Sequence, residues 1–400
     1  MNLRLLFITL VSALFWLTSC QEKAESSSVE QPTDLNQQIE QNFELASEQY
    51  QFMMDNLPED RFPQTFEDGE FKTSNSGWWC SGFYPGVLLR LFEETGDSSL
   101  FTEANRILAV LEKEQYNTHT HDLGFMMFCS FGKAQEMNPS EEYRQILINS
   151  AKSLSTRFDS TTNVILSWDS KPEDYLVIID NMMNLELLFW AFEETGDSSF
   201  YHIAVTHANT TLKNHFRDDN SSYHVLNYDR ETGGIKEKKT AQGYADESAW
   251  ARGQVWGLYG YTSMYRFTQD QQYLDQAINI AEFVLNHPNF PEDGIPYWDF
   301  NAPDIPDAKR DASAGAILAS ALLELQGYVD EAKAEKYRKT AETILQTLST
   351  SEYLAEAGTN GGFILQHGVG HHPANSEVDV PLTYADYYFV EAMQRYQELK

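Results

Sequence analysis

Phe92-Glu93-Glu94-Thr95-Gly96-Asp97-Ser98-Ser99 returns unchanged as Phe192-Glu193-Glu194-Thr195-Gly196-Asp197-Ser198-Ser199. Each copy closes an apolar helical run, turns on Gly96 or Gly196, and restarts with Asp and Ser, which favour the N-cap of a following helix. The repeated unit is a helical hairpin, and its recurrence sets the fold.

Outward from this hairpin, two kinds of helix alternate. The first carries an aromatic residue or Leu, then Ala, then Ile along one stripe: Leu100/Ala104/Ile107, Tyr273/Ala277/Ile280 and Tyr337/Ala341/Ile344. Phe200/Ala204 begins the same way, and segments near 36–56 and 139–156 complete six such helices. The second kind begins near Ser81, Asp122, Asp180, Asp246, Asp311 and Tyr384 and is rich in Gly, Ala, Ser and aromatics on all sides, as expected of helices buried all round. Gly253, Gly257 and Gly260 share one face, where a neighbour can approach closely. Twelve alternating helices with almost no period-two pattern between them predict an all-α fold, an (α/α)6 barrel of six hairpins in an inner and an outer ring. A tetratricopeptide-like solenoid is the competing architecture, but its unit is shorter and more regular.

The N-terminus carries Arg4, an apolar run from Leu5 to Leu17, and Leu17-Thr18-Ser19-Cys20. The run is too short to span a membrane and reads as an export signal over residues 1–19. Cys20 in this setting resembles the lipidated cysteine of bacterial lipoproteins, which predicts a membrane anchor, with the outer membrane facing the periplasm as its site. Residues 20–36, with Ser26-Ser27-Ser28, then form a flexible tether, and residues 37–400 form one catalytic barrel.

A formal charge of −32 argues against nucleic acid and anionic membrane surfaces as partners. Beyond Cys20 there are only Cys80 and Cys129, too few for a disulfide framework and without metal spacing; two free buried thiols are expected. His367, His371 and His372 lack the accompanying carboxylate or Cys spacing of a metal site. No metal or cofactor is expected, and the chain is read as a monomer or weak oligomer.

In a hairpin barrel the inner helices all point one way, so their N-termini gather at one mouth. Trp78-Trp79, His121-Asp122, Asp180, Gln242 through Arg252, Arg310-Asp311 and Thr383 through Asp386 all fall at or just before those starts. Asp180 interrupts Val177-Ile178-Ile179 and Met182-Met183, so its carboxylate is desolvated and its pKa rises, as a general acid near neutral pH requires. A capping aspartate with a structural Asn184 is the plain alternative. Asp122 offers a second carboxylate; alone it reads as a cap beside a surface His121, and its pairing with Asp180 gives it functional weight. Around Arg252, the aromatic residues Trp250 and Trp256 and the amide of Gln242 suit an acidic sugar, because rings stack on sugars and Arg grips carboxylates. The plain alternative there is a buried Arg252 neutralising Asp246 or Asp311. His224 is expected in a hairpin-like surface loop.

Taken together, His121-Asp122-Leu123-Gly124-Phe125, Ile179-Asp180-Asn181-Met182-Met183-Asn184-Leu185, Tyr223-His224-Val225, Gln242-Gly243, Trp250-Ala251-Arg252-Gly253-Gln254, Arg310-Asp311-Ala312-Ser313-Ala314 and Tyr384-Ala385-Asp386-Tyr387-Tyr388 resemble glycoside hydrolase family 88, the unsaturated glucuronyl hydrolases. The resemblance runs from about Trp78 to the C-terminus. It implies removal of the 4,5-unsaturated uronate that polysaccharide lyases leave at the non-reducing end. The residue matching Asp180 protonates C4 of the vinyl ether while water adds at C5, and the hemiketal opens to release the shortened sugar. Asp122 matches the second essential carboxylate. His224, Gln242 and Arg252 match sugar contacts, and Trp79, Trp250 and Trp256 match pocket walls; His121 is placed with them. The Ser-x-x-Ser-x-Lys segment of the family's sulfate-tolerant members is absent, so the resemblance does not carry sulfate recognition to this chain. Heparin, chondroitin, hyaluronan and ulvan fragments are all candidate sources.

Two other readings stand beside this one. The family 105 rhamnogalacturonyl hydrolases share barrel and chemistry and differ in substrate. A non-catalytic glycan-binding lipoprotein would share the export signal but would have no need of two acids at one mouth.

Overall fold

The computed structural model describes residues 34–168 and 171–399. The signal segment, Cys20 and all but the last residues of the tether lie outside the described residues. Among the described residues twelve α-helices follow one another: α1 Leu35–Asn56, α2 Phe83–Thr95, α3 Ser98–Leu111, α4 Lys133–Met137, α5 Glu141–Ser155, α6 Leu185–Thr195, α7 Ser198–Asn214, α8 Ala251–Thr268, α9 Gln271–Asn286, α10 Ala312–Leu325, α11 Glu331–Leu348 and α12 Thr383–Glu398. Helix α1 starts within the stretch read as tether.

The repeated octapeptide does what its chemistry requires. Gly96 and Gly196 take left-handed conformations, φ 72° and 70°, and their N–H groups close on the carbonyls of Phe92 and Phe192 at 2.8 Å. Asp97 and Asp197 then cap the next helix, each accepting from the N–H of the serine two residues on, at 2.9 Å.

Helices α8, α10 and α12 are buried around nearly their whole girth, whereas α3, α9 and α11 bury a single stripe. The inner ring runs α2, the 124–137 segment, the 179–195 segment, α8, α10 and α12, with α12 packing back on α2. The six-hairpin α/α barrel is thus closed. Closure joins the two ends of the described chain: Asn42 donates to Ser349 Oγ at 2.7 Å, Gln49 to the carbonyl of Phe363 at 2.8 Å, and Tyr50 to Asp386 at 3.2 Å.

Three expectations need correction. Short strands do occur, as β1 Phe62–Glu67, β2 Glu70–Ser74, β3 Phe158–Asp159, β4 Val164–Ile165, β5 Leu176–Ile178, β6 Val225–Tyr228, β7 Ile235–Lys239, β8 Gly368–His371 and β9 Ser376–Val380. They form four small antiparallel sheets; β5 and β6 are buried on both faces, which removes the alternation that would have marked them. Second, α8 begins at Ala251, not near Asp246, because Trp250 is held in a β-bridge with Asp299 and Phe300 donates to the carbonyl of Ala249. Third, two inner helices begin irregularly. Gly124–Gly132 is π-helical and Ile179–Asn184 is a 3-10 turn, so neither Asp122 nor Asp180 stands at a regular α-helical N-terminus.

The glycine stripe of α8 explains how the second of these turns is seated. A Cβ on Gly260 would fall 2.5 Å from Met182 Cβ, and one on Gly253 3.3 Å from Ile179 Cγ2. Bare backbone on α8 lets the turn that carries Asp180 lie directly against the helix.

Candidate active site

Asp180 stands two residues beyond Ile178, the end of β5. The register Ile178↔Val225 continues with the Ile179 N–H donating to the His224 carbonyl at 3.1 Å, which brings Asp180 and His224 together. His224 is buried, against the surface position expected; its ring packs 4.4 Å from that of Trp250. Its Nδ1 accepts from the N–H groups of both Ala241 and Gln242 at 3.2 Å, which leaves the proton on Nε2. That Nε2 faces Asp180 Oδ2 at 3.7 Å, and neither atom has a hydrogen-bond partner among the described residues. Two complementary buried atoms thus face each other with no hydrogen bond made among the described residues.

Burial pushes the Asp180 carboxyl up to about 7; the Arg252 charge opposes the rise and the Asp122 charge adds to it. The same burial drives the His224 imidazole well below its usual range, assisted by Arg252. Asp180 is therefore part-protonated at neutral pH beside a neutral histidine donor, the condition expected of a general acid.

Asp122 stands at the same mouth. Thr120 Oγ1 donates to its Oδ2 at 3.1 Å and His121 Nε2 lies 3.4 Å from Oδ1. The side chains of Asp122 and Asp180 keep 16% and 13% of their surface open, so both acids are reachable from solvent. His121 is buried and held below its usual pKa by that burial, so it is not the surface residue first considered. Asn184 is structural: its Oδ1 accepts from the Phe125 N–H at 3.1 Å.

Arg252 fulfils its plain reading and keeps spare capacity. Its Nη1 donates to Asp311 Oδ2 at 2.9 Å and to the Val369 carbonyl, and Nη2 to the Gly370 carbonyl at 2.6 Å. Asp246 is not its partner. The guanidinium lies between the rings of Trp250 and Tyr384, at 4.6 and 5.2 Å, and these bonds leave Nε and one Nη2 proton unassigned. Gln242 Nε2 donates to the same Gly370 carbonyl at 3.2 Å. Gln242 and Arg252 therefore both grip the β8–β9 hairpin.

Trp79 is half-buried against Phe83, Phe125 and Tyr384. Trp250 is nearly covered, and Trp256 is wholly buried against Phe125 and Tyr388, a floor beneath the site rather than a wall. Asp386 is structural, accepting from the N–H groups of Ile364 and Leu365 and from Tyr50. Cys80 is buried and Cys129 half-buried, and both are free thiols. His367 pairs with Asp379 at 2.6 Å, His371 donates to the Ala241 carbonyl at 2.8 Å, and His372 stacks on Trp298 at 4.1 Å.

A cavity of about 910 Å³ lies elsewhere, walled by Arg90, Glu186, Tyr259, Arg266, Glu391 and Arg395, and reaches toward the acids only as far as Phe125 and Met183. Its cations are already matched, Arg90 to Glu391, Arg395 to Glu324 and Arg266 to Glu186. Neither Asp122 nor Asp180 lines this space.

Comparison with known proteins bears on the family and the fold. The family model for Glycosyl Hydrolase Family 88 matches residues 53–398. An unsaturated glucuronyl hydrolase of Formosa agariphila is 48% identical over 324 residues, 80% of each chain. An unsaturated chondroitin disaccharide hydrolase of Streptococcus pneumoniae is 32% identical over 94% of this chain and 96% of that one. The crystal structure of an unsaturated glucuronyl hydrolase specific for heparin superposes with a TM-score of 0.88 at 44% identity, covering 91% of this chain and 98% of the other.

Proposed function

The chain belongs to glycoside hydrolase family 88, and on that premise we propose how its residues carry the family's reaction. It is an unsaturated glucuronyl hydrolase, acting on oligosaccharides that end in a 4,5-unsaturated uronate. Asp180 in its acid form gives its proton to C4 of the vinyl ether. Water adds to C5 and returns a proton to the Asp180 carboxylate, so the residue is restored and one water is consumed. The C5 hemiketal opens and the shortened sugar leaves. Water adds across a double bond, so the spacing rule that separates retaining from inverting glycosidases does not apply.

Asp122, nearby, steadies the positive charge that grows at C5 in the transition state. His224 offers a fixed Nε2–H to a substrate oxygen beside Asp180, and the unassigned donors of Arg252 suit the uronate carboxylate. The observation that carries this reading is the buried Asp180 carboxyl, held at about 7 opposite the His224 Nε2, which has no partner among the described residues. Asp180→Asn keeps substrate binding and loses nearly all turnover, followed as loss of ultraviolet absorbance. Since a positioned acid contributes about 100-fold or more, retention of roughly a tenth of wild-type turnover overturns the assignment.

The sequence alone supports a lipid anchor at Cys20, a periplasmic site and a monomeric or weakly associating mature protein. Cys20→Ala then yields a chain that no longer partitions with membranes in the producing cell; unchanged partitioning refutes the anchor.

A further inference from the structure

Tyr384 stands in the first turn of α12, within a stack of flat groups that leads to the acid. Its ring lies 4.9 Å from that of Trp79 and 5.2 Å from the Arg252 guanidinium. Arg252 in turn lies 4.6 Å from the ring of Trp250, and Trp250 4.4 Å from His224, whose Nε2 faces Asp180. Phe83 packs on the Tyr384 ring at 6.1 Å. Packing alone fixes this tyrosine, and only 2% of it is exposed.

The hydroxyl is the part that packing does not use. It makes no hydrogen bond among the described residues, and the side-chain oxygens sealed from solvent without a partner do not include it, so the little surface that Tyr384 keeps includes its hydroxyl. Tyr259, Tyr261 and Tyr387, equally deep in the inner helices, spend theirs on Glu391, the Ala208 carbonyl and Arg90. A buried tyrosine ordinarily finds such a partner, so a rigid ring with an unspent, reachable hydroxyl is a handle for a ligand.

That hydroxyl neighbours Arg252: the acidic groups that act on the guanidinium are Tyr384, Asp311 and Asp180. Burial lifts the phenol well above its usual pKa although Arg252 opposes the rise, so at neutral pH it keeps its proton and is a donor. Asp311 and the carbonyls of Val369 and Gly370 already occupy part of Arg252. The two protons left on Arg252 do not exhaust the lone pairs of a carboxylate. A sugar seated with C4 at Asp180 bears its carboxylate on C5, the adjoining carbon, which brings that group to Arg252 and within range of a donor beside it.

On the hydrolase reading above, we propose that the Tyr384 hydroxyl binds the carboxylate of the unsaturated uronate, donating to one of its oxygens while Arg252 supplies the opposite charge. A hydrogen bond to an ionised acceptor is the strong kind. The carboxylate keeps its charge while C4 takes up its proton, so the contact is made equally in the bound substrate and in the transition state. It sets affinity and leaves the chemical step alone.

The test compares wild type with Tyr384→Phe, which keeps the ring and its stacking and removes one oxygen. Both kcat and KM are read as absorbance loss on the unsaturated disaccharides that wild type cleaves, drawn from chondroitin, hyaluronan and heparin, with melting temperature alongside. Tyr384→Phe is expected to raise KM about tenfold or more, by the same factor whatever the leaving sugar, with kcat within about threefold of wild type. Its melting temperature stays within about 2 °C, because the hydroxyl bonds nothing in the fold. KM within about twofold of wild type overturns the proposal, as does a loss confined to kcat. A factor that varies more than about fivefold among leaving sugars also overturns it, because the hydroxyl would then touch the departing sugar. A lower melting temperature with a matching fall in kcat overturns it too, by giving Tyr384 a structural role alone. Wild type inert on all of these and on ulvan-derived fragments would instead refute the hydrolase reading, an outcome separate from any effect of Tyr384.

Discussion

Replacing Gly260 with Ala puts a methyl group where Met182 Cβ already stands, 2.5 Å away, when ordinary contact begins near 3.4 Å. Something must yield by about 1 Å, and the Cβ of Met182 is no flexible tip that can swing aside. Met182 belongs to the 3-10 turn Ile179–Asn184, so the displacement passes to Asp180 two residues earlier. Overpacking of this kind costs about 1–3 kcal/mol, and the better helix propensity of Ala returns roughly 1 kcal/mol, so net destabilisation is about 0–2 kcal/mol. A misplacement of about 1 Å at a proton donor costs on the order of 100-fold in rate. Gly260→Ala therefore loses activity out of proportion to its change in melting temperature. Gly257→Ala is the control. Its added methyl meets Ile179 and Ile280 at 3.5 Å, ordinary contact, so it gains about 0.5–1 kcal/mol and melts roughly 2 °C higher with activity within about twofold of wild type. Thermal unfolding and absorbance loss on one unsaturated disaccharide read both variants. Full activity in Gly260→Ala, or loss in Gly257→Ala, refutes the claim that bare backbone on α8 seats the acid.

Stability should carry the signature of Asp180. Its proton is held to about 7 in the fold and only to about 3.9 in the unfolded chain, so the stability it contributes is full below pH 4 and is lost as pH rises to 7. Asn has no such proton: Asp180→Asn melts like wild type at pH 4 and above it at pH 8, by up to about 4 kcal/mol, and a gap that does not change with pH refutes the raised pKa. Asp386, also pushed up to about 7 by burial, adds a slope of the same sign that this variant leaves in place. Wild-type turnover should decline as pH climbs past 7, because the proton donor is emptied; a flat profile from pH 6 to 9 excludes Asp180 as the acid. In the hairpin turn, Gly196→Ala forces a left-handed Cβ into open space, costing about 1 kcal/mol without touching activity, as paired melting and rate measurements would show.

The helical hairpins were readable because Gly96-Asp97 and Gly196-Asp197 combine a left-handed stop with a capping start, a purely local instruction. Asp180 was readable for a similar reason, since a carboxylate among Ile and Met can only be desolvated. What escaped depends on distant partners. His224 owes its burial to pairing between β5 and β6 and to two N–H groups from residues 241 and 242. The start of α8 is delayed by a bridge to Asp299, and nothing near Asp246 announces it. Trp256 looks the same in sequence whether it lines a pocket or underlies one; Phe125, contributed from two hairpins earlier and packed 5.1 Å away, decides.

The joining of α1 to α12 has a consequence for how the enzyme comes into being. Contacts such as Tyr50 with Asp386 and Gln49 with Phe363 span more than three quarters of the polypeptide, so docking them means gathering an exceptionally long loop, late and slow. Tyr384 and the carbonyls of Val369 and Gly370, which cradle Arg252, arrive with that same final stretch. A nascent chain can build hairpin upon hairpin and still hold only an open crescent. Without residues 369–384 Arg252 loses its cradle, so a stop before them leaves stacked hairpins with no working centre.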